Sequence, residues 1–245
     1  MFAATRFRIF GAFALAGALV LASCAPKPPP PPPPPPKVVT IPPRPVAPAG
    51  ASATFTVPAR DVMGVRKTVN YRISQAQMTW NVRSAFNVAA LNCLDPKYEP
   101  IVVAYRAFLK NHAKGLKNTT KKLDAEFRAK YGPTYKIEQD SYITQVYNYF
   151  ALPPTLRNFC DASLVMSQES LKIVPAELDV FSARWLPEIE AVFEQFFLSY
   201  DAYRIAAAQW DAQYGSVYGR ASAPHGATQP QPGMGEPYRA APVGR

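Results

Sequence analysis

The sequence has few of the residues that build catalytic or metal centres. Two histidines and three cysteines occur among its 245 residues, and neither CxxC nor HExxH is present. The chain also lacks GxSxG, a P-loop and GxGxxG, so serine-nucleophile, zincin and nucleotide chemistry have no local support. No apolar run reaches the roughly 20 residues that a membrane-spanning helix needs. We therefore expect neither a metal nor a cofactor.

The first 23 residues have the composition of a bacterial export signal. Basic side chains at positions 6 and 8 precede an apolar run at residues 9–21, and no acidic residue occurs before Cys24. Leu21, Ala22, Ser23 and Cys24 resemble the lipobox of bacterial lipoproteins. The resemblance implies cleavage before Cys24, diacylglycerol on its thiol and stable anchoring in a lipid bilayer through the acyl chains. An ordinary signal peptide with a chance cysteine is the alternative.

Ala25 bears on which membrane would hold the lipidated chain. In the sorting pattern of bacterial lipoproteins, an aspartate directly after the cysteine retains the protein in the inner membrane. Its absence favours the periplasmic face of the outer membrane.

The chain is strongly basic, and its charged residues are unevenly distributed. The formal net charge is +10; residues 97–136 hold ten basic and three acidic side chains, whereas residues 160–215 hold three basic and nine acidic ones. Such a protein can meet anionic lipid, acidic glycans or an acidic partner. The expected periplasmic address argues against nucleic acid as a partner.

Composition divides the remainder into three parts. Residues 24–53 include nine consecutive prolines at 28–36, which predicts an extended polyproline II stalk. Residues 54–214 have the apolar content of one folded domain. Residues 215–245 are rich in Pro, Gly, Ala and Gln, which indicates a disordered tail.

A small β-hairpin is predicted at the start of the domain. Apolar or β-forming residues recur at alternate positions in residues 54–73, and Asp61 and Gly64 bracket a four-residue turn signature. A two-stranded hairpin is marginally stable alone, so it would have to pack on helices.

The rest of the domain is predicted to be mainly α-helical, with about five helices. Ser74 is a suitable N-cap for the first, and apolar spacing indicates further helices over residues 99–131, 135–150 and 154–171. Pro175 opens another helical segment. Because a proline inside a helix usually breaks it, Pro187 is expected to separate that segment from a last helix ending near residue 214.

Cys93 and Cys160 remain once Cys24 is assigned to lipid. In an oxidising compartment the two are expected to form a disulfide that links two helical segments. Reactive or metal-binding thiols are the alternative.

Four glutamates are the candidates for an enzymatic role. Glu188, Glu190 and Glu194, with Glu169 elsewhere, can supply the paired carboxylates of an enzyme that cleaves peptidoglycan. The competing interpretation is the solvated face of an amphipathic helix, with acids in a first turn that suit the helix dipole.

A row of lysines is the candidate docking surface. Lys110, Lys114, Lys117 and Lys121 recur at spacings of three and four, which places them on one helix face. They can bind an acidic envelope component, or pair internally with the acidic last helix, or remain solvated. His112, within the apolar stripe of the same helix, is expected to be a buried, hydrogen-bonded core residue.

Residues 61–93 carry a second resemblance. The segment from Trp80 to Cys93, with Asn81, Arg83 and Asn87, is similar to uncharacterised proteobacterial envelope lipoproteins. The resemblance implies a shared domain and a pair of cysteines, and no catalytic residue. We therefore expect a non-catalytic binding or structural role in the cell envelope, with peptidoglycan or an envelope protein as partner, and a peptidoglycan-acting enzyme as the alternative.

Overall fold

The computed structural model of the protein describes Pro30 and residues 40–218. The predicted export signal, Cys24 with its predicted lipidation, most of the proline run and residues 219–245 lie outside the described residues. The described residues from Ile41 onward belong to one compact unit.

Helices make up most of the described chain, so the prediction of a mainly α fold is confirmed. Within residues 40–218 they are α1 (Gln75–Asn92), α2 (Glu99–Asn111), α3 (Ala113–Tyr131), α4 (Tyr135–Phe150), α5 (Leu156–Ser170) and α6 (Leu178–Tyr218). If α2 and α3 are counted as one bent helix, the described residues contain five α-helices, and the sequence predicts about five. None of the described helices is long and apolar enough to span a membrane.

Helix α1 lies at the centre of the domain and contacts each of the other five helices. It begins at Ser74, as predicted, because this residue and Gln77 form a reciprocal capping box. The Gln77 backbone N–H donates to Ser74 Oγ at 3.1 Å, and the Ser74 N–H donates to Gln77 Oε1 at 3.0 Å.

The core is aromatic and lies where α6 meets α1, α4 and α5. Phe193 of α6 is fully buried, and its ring centroid is 4.4 Å from that of Tyr149 and within 6 Å of those of Phe150 and Phe159. Edge-to-face and stacked aromatic pairs of this kind add about 0.5–1.5 kcal/mol each beyond the burial of their area. These contacts hold α6 against the other helices.

Pro187 lies inside α6 and does not interrupt it, so the predicted helix boundary there is wrong. A proline in a helix interior removes one backbone hydrogen bond and costs about 3 kcal/mol. Here Leu186 and Ile189 on either side are buried in the core. Because burial of each such side chain contributes about 1.5–3 kcal/mol, the two together offset that cost.

α2 and α3 are separated at His112, where the sequence predicts one continuous helix. The backbone of His112 has φ −107° and ψ 14°. Hydrogen bonds still cross the junction, from His112 N to Phe108 O at 3.0 Å and from Leu116 N to His112 O at 2.9 Å. The distortion is therefore local, and it coincides with insertion of the His112 ring into the core, 5.0 Å from the Phe108 ring.

The predicted β-hairpin is wrong, because residues 54–73 contain no strand. The turn does form as predicted: Gly64 has φ 82° and donates its N–H to the Asp61 carbonyl at 3.0 Å. Beyond the turn, this segment has a single isolated bridge between Arg60 and Arg66. Pro58 has no N–H to extend a ladder. The polar side chains that follow Val65 bind α6 instead of a second strand.

Residues 41–53, which the sequence assigns to the stalk, lie against α6. Trp210 Nε1 donates to the Pro42 carbonyl at 2.8 Å, and the Tyr200 hydroxyl donates to the Ser52 carbonyl at 2.7 Å. This part of the predicted stalk is therefore packed on the helical domain. The remainder of the stalk lies outside the described residues, except Pro30 and Thr40.

Candidate functional site

Four exposed lysines form a surface that we call the basic face: Lys110, Lys114, Lys117 and Lys121. The last three lie on α3 at spacings of three and four, so they share one side of that helix. Lys110 lies on α2, two residues before the distortion at His112.

No lysine of the basic face forms a salt bridge with a described residue. Of the alternatives that the sequence left open, internal pairing with the acidic last helix is therefore wrong. A docking surface and a solvated face remain.

The acidic side chains of α6 pair with arginines of the N-terminal segment instead. Arg66 is almost fully buried; its Nε lies 2.8 Å from Glu194 Oε2, and its Nη2 lies 2.5 Å from Asp201 Oδ2. Arg60 also pairs with Glu194. These contacts neutralise part of the acidic helix and leave the basic face uncompensated by it.

Glu190 lies next to these ion pairs, half-buried between α6 and the N-terminal segment. Thr68 Oγ1 donates to Glu190 Oε2 at 3.2 Å, and the Asn70 amide donates to Oε1. Asn70 in turn accepts a hydrogen bond from Asn81 at 2.6 Å, and Asn81 accepts one from the Tyr142 hydroxyl at 2.9 Å. Burial raises the pKa of the Glu190 carboxyl, although the hydrogen bonds from Asn70 and Thr68 oppose the shift.

The four glutamates considered for catalysis do not form one site. Glu188 is exposed, Glu194 is bound by two arginines, and Glu169 accepts hydrogen bonds from Arg184 and from Trp185. Of these four, Glu190 alone combines burial with a neighbouring pocket.

The carboxyl that shares this pocket is Asp61, which the sequence pattern marks only as a turn residue. The two carboxyls line a pocket of about 400 Å³. The Tyr71 hydroxyl donates to Asp61 Oδ2 at 2.8 Å, and this hydrogen bond lowers the pKa of Asp61. Carboxyls that line one pocket and whose pKa values are shifted in opposite directions are candidates for an acid and its partner in an enzyme.

Cys93 and Cys160 form a disulfide, which confirms the predicted pairing. Their Cα atoms are 5.6 Å apart, and the bond joins the end of α1 to α5. Cys24 lies outside the described residues, so its lipidation stays a prediction. In the part of the chain that the structure describes, no group of three His, Cys, Asp or Glu side chains can hold a metal ion.

His112 is buried, as predicted, but it is not hydrogen-bonded. Neither ring nitrogen has a partner among the described residues. Burial lowers the pKa of the imidazole, which favours the neutral ring. The sequence pattern located the residue in the core correctly and could not show that its ring nitrogens lack a partner there.

No family model, no curated protein and no solved structure matches the chain. The resemblance to envelope lipoproteins therefore stays a prediction that rests on residues 21–24 and 80–93.

Proposed function

We propose that the chain is a lipid-anchored envelope lipoprotein whose helical domain docks, without catalysis, on peptidoglycan through the basic face. One observation carries this proposal. The four lysines are exposed and unpaired with described residues, whereas Glu194 and Asp201 of the acidic helix pair with arginines. Peptidoglycan is a repeating polyanion in the same compartment, and its peptide carboxylates suit an array of lysines.

Energetics favour binding over a stabilising role for this face. Like charges one helical turn apart cost a few tenths of a kcal/mol per pair, so the lysines do not help α3 to form. Exposed charge pairs contribute roughly 0–1 kcal/mol to folding. Several charges acting together, however, govern association with a polyanion and make it sensitive to salt. A surface of this kind therefore affects association more than stability.

Cosedimentation of the full-length protein with purified peptidoglycan sacculi tests the docking surface. Replacing all four lysines of the basic face with glutamine should remove most of the bound fraction and most of its salt dependence. Because the side chains are exposed, the melting temperature should change by less than about 3 °C. A matched control removes the same charge from four other exposed lysines: Lys67, Lys130, Lys136 and Lys172.

Two outcomes would contradict the docking proposal. Equal losses in the variant and its control would mean that net charge alone governs binding. Failure of the wild-type protein to cosediment at low salt would remove peptidoglycan as the partner.

The anchor is tested separately by Cys24→Ser. The thiol is the acceptor of the lipid and a hydroxyl does not replace it, so the variant should incorporate no labelled palmitate. Incorporation that persists would disprove the anchor and leave the docking surface untouched. We place the lipidated protein on the periplasmic face of the outer membrane, because Ala25 follows the cysteine.

A second candidate function is cleavage of peptidoglycan glycan strands, which the pocket over Glu190 favours. Burial raises the pKa of Glu190 and a hydrogen bond lowers that of Asp61, as in a general acid and its partner. It ranks second because both carboxyls already accept hydrogen bonds from protein groups. Loss of sacculus turbidity with wild-type protein, abolished in Glu190→Gln and Asp61→Asn, would establish it. No loss with wild-type protein would exclude it.

A further inference from the structure

A pocket of about 330 Å³ opens between α1 and the junction of α2 with α3. Trp80 and Arg83 line it from α1, Leu109 from α2, and Leu116 and Lys117 from α3. Pockets of about 300–1,000 Å³ that combine apolar walls with a few polar groups are typical of small-ligand sites. This pocket joins the segment that begins at Trp80, which the sequence singles out, to a lysine of the basic face.

Arg83 is a half-buried cation that pairs with no carboxylate among the described residues. Its Nη1 donates to the Tyr147 hydroxyl at 3.1 Å. The other arginine that we have described as buried, Arg66, pairs with two carboxylates. Because a guanidinium has five N–H donors in a planar fork, Arg83 retains donors for a carboxylate in the pocket.

Trp80 supplies the pocket with a half-buried aromatic ring that is held in place by packing. Its ring meets Tyr147 edge to face, with centroids 6.1 Å apart, and also packs on Tyr142 at 6.4 Å. An indole fixed in this way offers a large apolar surface without a further loss of side-chain entropy on binding. The apolar face of a sugar ring is a suitable partner for such a surface.

Lys117 adds a second positive charge at the rim of the pocket. It is exposed and forms no salt bridge with a described residue. A fixed guanidinium, an ammonium at the rim and an aromatic wall together match a ring that carries one carboxylate. A neutral sugar would leave the charge of Arg83 unused, and a bare anion would leave Trp80 unused.

We infer that this pocket binds an amino sugar of the wall polymer whose carboxyl is free because its stem peptide has been removed, with the carboxylate on Arg83 and Lys117 and the ring against Trp80. The inference rests on the proposed docking function and adds a sugar site to the basic face. In this arrangement the other lysines attract the peptide carboxylates of the polyanion, and the pocket selects sugar units that have lost their peptide.

Tryptophan fluorescence of the full-length protein, titrated with N-acetylmuramic acid, tests the inference. The fluorescence of the wild type should change until the site is saturated, whereas N-acetylglucosamine, which lacks the carboxylate, should have no effect.

Trp80→Phe should remove this change in fluorescence, since Trp80 is one of three tryptophans and the other two are buried. Arg83→Gln should weaken binding by about tenfold, the loss expected for a charge-assisted hydrogen bond. Arg106→Gln, at an exposed arginine of α2 outside the pocket, should bind as the wild type does.

Lys117→Gln provides a test that does not depend on the folding of a half-buried variant, because Lys117 is exposed. It should weaken binding of the acidic sugar, though less than Arg83→Gln.

Equal affinity for the acidic and the neutral sugar, or no binding of either, would overturn the inference that the pocket binds the acidic sugar. If sacculi still cosediment in that case, the docking function stands and only the pocket is wrong. If the sugar binds and sacculi do not, the pocket stands and the docking surface is wrong.

Discussion

Arg44 and Asp211 form a bidentate ion pair although they are 167 residues apart in the chain. The Arg44 Nε donates to Oδ1 at 2.8 Å and its Nη2 donates to Oδ2 at 2.7 Å. The contact lies next to the hydrogen bond from Trp210 to Pro42. Both side chains of the pair are more than 40 % exposed, at 41 % and 47 %. Together these contacts fix the start of the described unit to the C-terminal part of α6.

Loss of the buried arginine Arg66 should destabilise the domain more than loss of the exposed arginine Arg44. Arg66→Gln leaves Glu194 and Asp201 without their buried partner, so it should destabilise the domain by about 1.5–3 kcal/mol, the value for hydrogen bonds to charged groups. Arg44→Gln should have only a small effect, because water screens an exposed pair. Equilibrium urea unfolding of both variants measures the difference. Equal destabilisation by the two would contradict this assignment.

The disulfide should account for a large share of the stability of the domain. Cys93 and Cys160 are 67 residues apart, and closing a loop of that length removes about 4 kcal/mol of chain entropy from the unfolded state. Replacing both cysteines with serine should therefore lower the free energy of unfolding by about 4 kcal/mol. Reduction of the wild-type protein should cause a similar loss. Full stability after complete reduction would show that the loop constraint contributes little.

His112→Leu should stabilise the domain, by about 1–3 kcal/mol at pH 7, because it removes two buried nitrogens that lack partners.

The same variant should also lose less stability in acid than the wild type does. The pKa of buried His112 is below its ordinary value of 6.5, so the unfolded chain binds the proton more readily. The stability associated with the neutral ring is therefore complete above pH 6.5 and is lost as the pH falls through the folded-state pKa. Thermal unfolding at a series of pH values tests both effects, and a destabilised variant with unchanged pH dependence would refute them.

The sequence predicts the local features of the fold well. The cap at Ser74 and the turn at Asp61 and Gly64 are set by neighbouring residues, so they follow from the sequence alone. The cysteine pair follows from the number of cysteines and the expected compartment.

The errors occur where tertiary contacts override local preference. Pro187 continues a helix because its neighbours are buried. Residues 41–53 pack on α6 through two main-chain carbonyls and through the ion pair of Arg44 with Asp211, and no local sequence pattern reveals these contacts. The spacing of the lysines predicts the basic face, but only the folded chain shows that the carboxylates of Glu194 and Asp201 pair with arginines instead of these lysines. Asp61 joins Glu190 in one pocket only in the folded chain.

Glu190→Gln should stabilise the domain at neutral pH and have less effect as the pH falls. In the unfolded chain the carboxyl titrates near its ordinary value of 4.5, whereas burial raises its pKa in the folded domain. Below pH 4.5 the group is protonated in both states and carries no penalty. As the pH rises through the folded-state pKa, the buried group becomes charged and stability is lost. Glutamine keeps the shape and an oxygen for the Asn70 amide, and it is never charged.

Urea unfolding of the wild type and the variant, at intervals from about pH 4 to pH 8, measures this difference directly. The advantage of the variant should grow with pH and reach a plateau above the folded-state pKa of Glu190. Glu188→Gln is the matched control, because Glu188 lies on the same helix and is exposed. Its difference from the wild type should stay small and nearly constant across the series. An advantage of Glu190→Gln that shrinks as the pH rises, or that equals the effect of Glu188→Gln, would mean that burial does not govern the titration of Glu190.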